Sequence, residues 1–235
     1  MENMEGRLLK KIKFSAILFL LVFISQTFFA QSTADKIRIP LWAQLDAYPG
    51  TEGAVITQDE LFEYPISRLK EVAPFFVEGM VCGWTFSYTP SDKLRNVDEY
   101  FEFTPLYDFS AIKKNITYKD PWLKDNRLYC WVEFEYTPQI ASWVSTWQKS
   151  NFRRISGTGE GPVSDGFDGI KIGAQNALKS AVREYARSIK KNKPKEIIGE
   201  VLITNNPSVY IRSGRYLVEI DFLLNINKII EYNIY

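Results

Sequence analysis

The chain has 235 residues, 46% of them hydrophobic and 15% aromatic, which suits one large domain or two small ones with an ordinary core. It contains no histidine and two cysteines, Cys82 and Cys130, which excludes Ser-His-Asp and Cys-His catalysis, histidine metal sites and a four-thiolate zinc site within one chain. With 29 basic and 28 acidic side chains it is close to neutral, so no global field steers it to nucleic acid, and neither a nucleic-acid partner nor a cofactor is expected.

Arg7, Lys10, Lys11 and Lys13 precede an apolar run from Phe14 to Ile24, and small residues follow at Ala30, Ser32 and Ala34. This order predicts a secretory signal peptide over 1–34, cut after Ala34. The run is shorter than the roughly 20 residues a membrane span needs, and no transmembrane span is expected in the mature chain. No cysteine lies at the cut, so no lipid anchor is expected. Removing four cations (with Arg7, the three lysines) and two anions (Glu2, Glu5) turns 29 against 28 into 25 against 26. The expected location is the periplasm or envelope of a bacterium, where the two cysteines can pair.

In chain order, Ile37, Ile39 and Leu41 alternate with Lys36, Arg38 and Pro40 and predict a strand, at an edge because Pro40 lacks a ladder donor. Ala47 to Gln58 reads as a loop. Ile66, Leu69, Lys70 and Ala73 predict one or two helical turns, opened at Pro65 and stopped at Pro74. Period 2 then places Met80, Cys82, Trp84, Phe86 and Tyr88 on one strand face, and Leu128, Cys130, Val132, Phe134 and Tyr136 on another. Phe-x-aromatic-Thr-Pro occurs at 86–90, 101–105 and 134–138; the unequal spacings favour three similar strand ends over a duplication. Thr-Pro suits a helix start. After Thr137, Ile140, Trp143, Val144 and Trp147 predict an amphipathic helix; after Thr89, Asp92 falls at the capping-box position ahead of Leu94 and Val97. A hairpin is predicted over 112–127, with a strand at 115–118 and turn residues at 119–121 and 124–126.

At Asn151 the character changes. Phe152 to Ile155 is a basic strand, Gly157-Thr158-Gly159-Glu160-Gly161 reads as a glycine turn, and Ser164 to Asp168 offers helix caps. Ile170, Ala174, Ala177, Leu178, Ala181, Val182, Tyr185, Ala186 and Ile189 then mark a long helix, ended by Asn192 and Pro194. Strands follow at 197–204, 208–212, 215–224 and about 229–234. The predicted fold is α+β, mostly antiparallel, with one long amphipathic helix (about 169–191) packed on a C-terminal sheet. A strand-rich aromatic region covers 35–150 and a β-α-β(3–4) module 151–235.

The glycine run between strand and helix invites a phosphate-loop reading, but it lacks Gly-Lys-Ser/Thr and the Gly-x-Gly-x-x-Gly spacing. Lys171, Gln175, Lys179, Arg183, Arg187 and Lys191 lie four apart and form a mostly cationic stripe. It is either a solvated face whose cations complement the helix dipole, or a docking face for an envelope protein or an anionic cell-wall or lipid component. Glu133 and Glu135 share a strand face with Trp131, within the separation used by paired carboxylates in glycoside hydrolysis; Trp131 can stack on a sugar. Cys82 and Cys130 form a disulfide if their strands are neighbours in register, and otherwise are two buried thiols. The C-terminal Tyr235 is preceded at alternate positions by Asn233 and Glu231, which argues against an outer-membrane barrel.

The segment Gly157 to Gly161, leading to a helix with Ala174, Ala177, Ala181 and Ala186 and with Tyr185-Ala186-Arg187 near its end, resembles the LPP-twenty-like family of exported envelope lipoproteins. The likeness covers 151–205 and implies an envelope location; the family's lipobox is missing here. The whole chain, with Ala73-Pro74-Phe75-Phe76 and Asp165-Gly166-Phe167-Asp168-Gly169, is similar to uncharacterised exported bacterial proteins. The expected function is a non-catalytic envelope binding or assembly protein; the alternatives are a carboxylate-dependent carbohydrate-active enzyme and a ligand carrier. A deep cleft with facing carboxylates would favour the enzyme, and a flat face with exposed rings would favour assembly.

Overall fold

A computed structural model describes residues 36–45 and 58–232. The expected signal peptide over 1–34, most of the loop after Ala47 and Tyr235 lie outside the described residues. The fold class is as expected: α+β, with antiparallel sheets and a long helix on the larger one.

Strand β1 (Lys36–Gln44) buries Ile37, Ile39, Leu41 and Ala43 and turns Arg38 and Trp42 outward. It pairs with β5 (Arg127–Glu135), which also pairs with β4 (Ile116–Lys124), giving a three-stranded sheet in the order β1-β5-β4. Pro40 thus lies on an edge strand. Asp125 and Asn126, both at positive φ, close the β4–β5 hairpin, with the twist that two left-handed residues give. The turn expected at 119–121 is absent. There β4 runs on through a bulge between Lys119 and Trp122, with Asp120 at φ 47, so one unpaired stretch is absorbed without ending the strand.

Helix α1 (Gln58–Val81) is far longer than two turns and carries both Pro65 and Pro74 inside it. The reason is the core it covers. Leu69, Val72, Ala73, Phe76, Val77 and Met80 recur at helical spacing and are all buried. Each large side chain there is worth about 1.5–3 kcal/mol, which outweighs the roughly 3 kcal/mol cost of an interior proline. The strand expected from Met80 to Tyr88 therefore starts late. The amides of Cys82 and Gly83 both donate to the Glu78 carbonyl, at 2.8 and 3.1 Å, and Gly83 turns the chain at φ 78, a left-handed helix end that glycine adopts freely.

The larger sheet contains β2 (Trp84–Thr89), β3 (Tyr100–Pro105), β6 (Arg153–Pro162), β7 (Glu196–Ile203), β8 (Ser208–Arg212) and β9 (Arg215–Ile230), in the order β3-β2-β7-β9-β6. β8 pairs with the first part of β9, across the Ser213-Gly214 turn. The two strands expected at 215–224 and about 229–234 are a single strand as far as Ile230, kinked where β9 carries Asn227 as an extra residue opposite Ile198 and Gly199. The change of character near residue 150 does not separate the sheets, because β2 from the first region pairs with β7 from the second.

Helix α2 (Pro138–Lys149) starts as expected, with the Thr137 hydroxyl accepting from the Ile140 amide at 3.3 Å. Its Trp147 packs on Leu202 and Leu223, on one face of the larger sheet. The first Thr-Pro behaves differently: Asp92 caps only the short turn Lys93–Arg95, and Leu94 is exposed. On the opposite face of the larger sheet, Val201, Ile203, Phe222 and Leu224 join the main core with α1 and the inner face of the small sheet. The layers are small sheet, helices, larger sheet, then α2.

Helix α3 (Phe167–Ile189) packs along β6. Gly157, Gly159 and Gly161 are strand residues, not a turn. A Cβ on Gly159 would lie 2.2 Å from the Ala177 amide nitrogen and the Gly173 carbonyl oxygen, and one on Gly161 would lie 1.9 Å from the Gly169 carbonyl oxygen. Strand period 2 thus meets helix spacing 4 (Gly169, Gly173, Ala177, Ala181), and backbone rests on backbone. The helix start also differs from expectation: Gly166, at φ 58, precedes it and no side chain caps it.

Candidate functional site

The outer face of the small sheet carries the first site. Alternation along β1 and β5, with the bulge in β4, sets Trp42, Trp122, Tyr129 and Trp131 on one solvent-facing surface, each half-buried. Their rings form a continuous ladder. Trp122 and Tyr129 stack at 5.2 Å between centroids, Trp42 lies 6.5 Å from Tyr129, and Trp122 lies 5.8 Å from Trp131. Arg127 covers Trp42 at 4.0 Å and Arg38 covers Trp131 at 4.5 Å, so both ends of the ladder are closed by cation–π contacts. The Trp42 indole N–H donates to the Val209 carbonyl at 2.8 Å, which ties this face to β8.

Beside the ladder, Glu133 is held by three cations. Lys119 Nζ lies 2.7 Å away, Arg38 Nε 3.2 Å and Lys36 Nζ 3.5 Å, and the Glu133 side chain is 5% exposed. The hydrogen bond from Lys119, ahead of the fields of Lys119 and Lys36, holds its carboxyl below the usual carboxylate range. A general acid needs the opposite shift, and a nucleophile needs a free lone pair facing the substrate. Glu135 shares the strand face but is exposed at its end. The pair therefore offers one saturated anion and one solvated one, on an open surface.

The cationic stripe of α3 divides into two parts. Lys171 pairs with Asp168 at 3.5 Å and lies 5.5 Å over the Phe167 ring. Gln175 donates to the Phe101 carbonyl at 2.8 Å. Arg183 and Lys179 converge on Glu99, at 2.7 and 3.9 Å, and the Tyr88 hydroxyl donates to the same carboxylate at 2.9 Å. Burial, reinforced by Glu99, pushes the Tyr88 phenol above its ordinary range. These contacts fasten the middle of the helix to β2 and β3. Arg187, in the last turn, and Lys191, which lies past the helix end at Ile189 and not on the stripe as expected, have no acidic partner among the described residues and line a groove at the helix end.

Trp131 thus falls in the ring face, whereas the five expected cations do not share a single surface. Trp42, Trp122, Tyr129, Arg38 and Arg127 were not singled out from the sequence. The signal that could have found them is the same strand alternation that located Trp131, carried across to β1 and β4.

Cys82 and Cys130 are both free and buried, so no disulfide joins them. Of the two alternatives, buried thiols is the one found: the register match that a disulfide needs does not arise, because Cys82 lies between α1 and β2 whereas Cys130 is on the inner face of β5. Burial pushes each thiol up to about 11, with Glu78 and Asp108 adding to the effect at Cys82. The phosphate-loop reading is excluded by geometry as well as spacing, since the glycine face is filled by the α3 backbone. Among the described residues no helix is long and apolar enough to cross a membrane.

A protein of Treponema pallidum (strain Nichols) named "Uncharacterized protein" is 29% identical over 201 residues, covering 85% of this chain and 83% of that protein. No solved structure matches. These comparisons support a bacterial protein family rather than the LPP-twenty-like module that the 151–205 segment resembles. The chain belongs to the bacterial protein family whose model matches residues 25–232.

Proposed function

We propose that this protein is an exported, non-catalytic binding or assembly component of the bacterial cell envelope, and that the ring face of the small sheet is its working surface. The observation that carries this reading is the continuous ladder of Trp42, Trp122, Tyr129 and Trp131, half-buried on the outer face of the small sheet. Large aromatic rings at a surface offer much contact area for little lost side-chain entropy. The state of Glu133 weighs against the carbohydrate-active enzyme, since three cations already occupy it.

Cell fractionation combined with the double variant Trp122→Ala, Trp131→Ala tests the reading. The expected result is a processed wild-type chain starting at Asp35 that co-purifies with envelope material, and a folded variant that does not. Equal recovery of both from the envelope, or an unprocessed cytoplasmic chain, would overturn it.

A further inference from the structure

The groove at the C-terminal end of α3 has a chemistry of its own. It measures about 410 Å³ and lies between the last turns of the helix, the segment 190–194 and the β2–β3 connection. Arg183, Arg187, Lys190, Lys191 and Lys193 line it, with Glu99 as the one carboxylate in the lining. Glu99 is already engaged by Arg183 and Lys179. Lys190 reaches away to Glu231 at 2.8 Å, and Lys193 donates to the Ser91 carbonyl at 2.7 Å. Arg187 and Lys191 are left facing the groove without an acidic partner among the described residues.

The helix dipole accounts for cations in the last turn. It does not account for Lys193, which lies beyond the helix and is fastened across the groove to the β2–β3 connection. Nor does it explain the imbalance: residues 183–195 hold Arg183, Arg187, Lys190, Lys191, Lys193 and Lys195 against Glu184 alone, in a chain with 29 basic and 28 acidic side chains. Like charges converging from two segments repel one another, and a multivalent anion in the concavity relieves that repulsion. The concavity has room for a phosphate group. An arginine fork beside an ammonium suits the several oxygens of a phosphate.

We infer that this groove binds a phosphate group, with Arg187 and Lys191 as its principal ligands and Arg183, held by Glu99, as a fixed third. The inference stands apart from the ring face and does not depend on it.

The test is calorimetric titration of the full mature chain with inorganic pyrophosphate at low ionic strength, alongside sedimentation with phosphatidylglycerol vesicles. The first variant is Arg187→Gln, Lys191→Gln; a charge-matched control is Lys70→Gln, Lys149→Gln, with both positions exposed and remote in sequence from the groove. Saturable pyrophosphate binding, weakened about tenfold or more in the first variant and unchanged in the control, supports the inference and indicates a soluble phosphate compound. Vesicle binding lost in the same variant and kept in the control supports it with a lipid headgroup as the source. No binding of either probe, or an equal loss in both variants, would overturn it. Both substitutions fall on exposed side chains, and an unchanged melting temperature shows that the variants are folded.

Discussion

Two sheet surfaces of this protein use strand alternation in opposite ways. On β6 the alternate positions are Gly157, Gly159 and Gly161, and the helix backbone lies against them. On β1, β4 and β5 the alternate positions are Trp42, Trp122, Tyr129 and Trp131, half-buried, with the Arg127 and Arg38 side chains over Trp42 and Trp131. The first surface gains its stability by having no side chains at all, so every added atom must displace a helix. The second lies on the side of its sheet away from α1 and holds together through ring and cation contacts at the solvent boundary. A surface packed as closely as the first has no room for a ligand; a surface of half-buried rings keeps apolar area available to a partner.

The largest expected effect comes from putting an atom where none fits. Gly159→Ala places a Cβ against helix backbone that cannot yield as a side-chain tip can, and the expected loss is about 3 kcal/mol or more, read from urea unfolding. A loss under about 1 kcal/mol would mean that α3 is free to lift from β6 and that the two surfaces do not differ in this way.

Glu133→Gln tests the other surface by leaving Lys36, Arg38 and Lys119 without their shared anion. A carboxyl whose folded pKa lies below its unfolded value adds stability above the unfolded pKa, and loses it as pH falls through the folded one. Wild type should therefore lose stability relative to the variant on acidification through and below the ordinary carboxylate range. Parallel pH–stability curves would show that the three ion pairs carry no net weight.

Gly214→Ala separates two uses of glycine. Gly214 has open space around its Cβ position but sits at φ 72, so the expected cost is that of a left-handed residue, about 1 kcal/mol, well short of Gly159→Ala. Trp122→Ala removes the 5.2 Å stack on Tyr129 and should cost about 1 kcal/mol while leaving the fold intact. A collapse comparable to that of Gly159→Ala would make the ladder a structural core rather than a surface.

The smallest effect is expected at the cysteines. With both thiols buried and pushed up to about 11, neither should react with a thiol reagent at pH 8 in the native state. Both should react after unfolding, and the mass should be the same with and without reductant. A mass lower by two hydrogens without reductant would restore the disulfide.

Elements that are periodic over their whole length were legible from the residues. β1 follows from Ile37, Ile39 and Leu41, α2 from Ile140 to Trp147 with its Thr137 cap, and α3 from its stripe of apolar and small residues, within about two residues at each end. Elements that carry a local breaker were not. α1 hides behind Pro65 and Pro74, because their cost is local whereas the gain from Phe76 and Val77 arises only when two sheets close around them. β6 reads as a turn because glycine is read as a turn residue when the helix that needs its absent side chain is out of view. Of the site, the sequence pointed to Trp131 and to Arg187 and Lys191. It could not supply their partners, since Trp42 and Trp122 reach Trp131 and Tyr129 only through strand pairing, and Lys193 reaches the groove only through Ser91.

By itself the sequence determined the fold class, the exclusion of histidine and thiolate chemistries, and the faces of the regular elements, because these depend on composition and on periods of 2 and 3.6 residues. Tertiary structure alone decided which alternation is packed against backbone and which faces solvent. It also decided which cations of α3 and of the segment after it are spent on Glu99 and which are left for a groove, because pairing partners many residues apart in the chain are chosen by the closing of the fold and not by their neighbours in sequence.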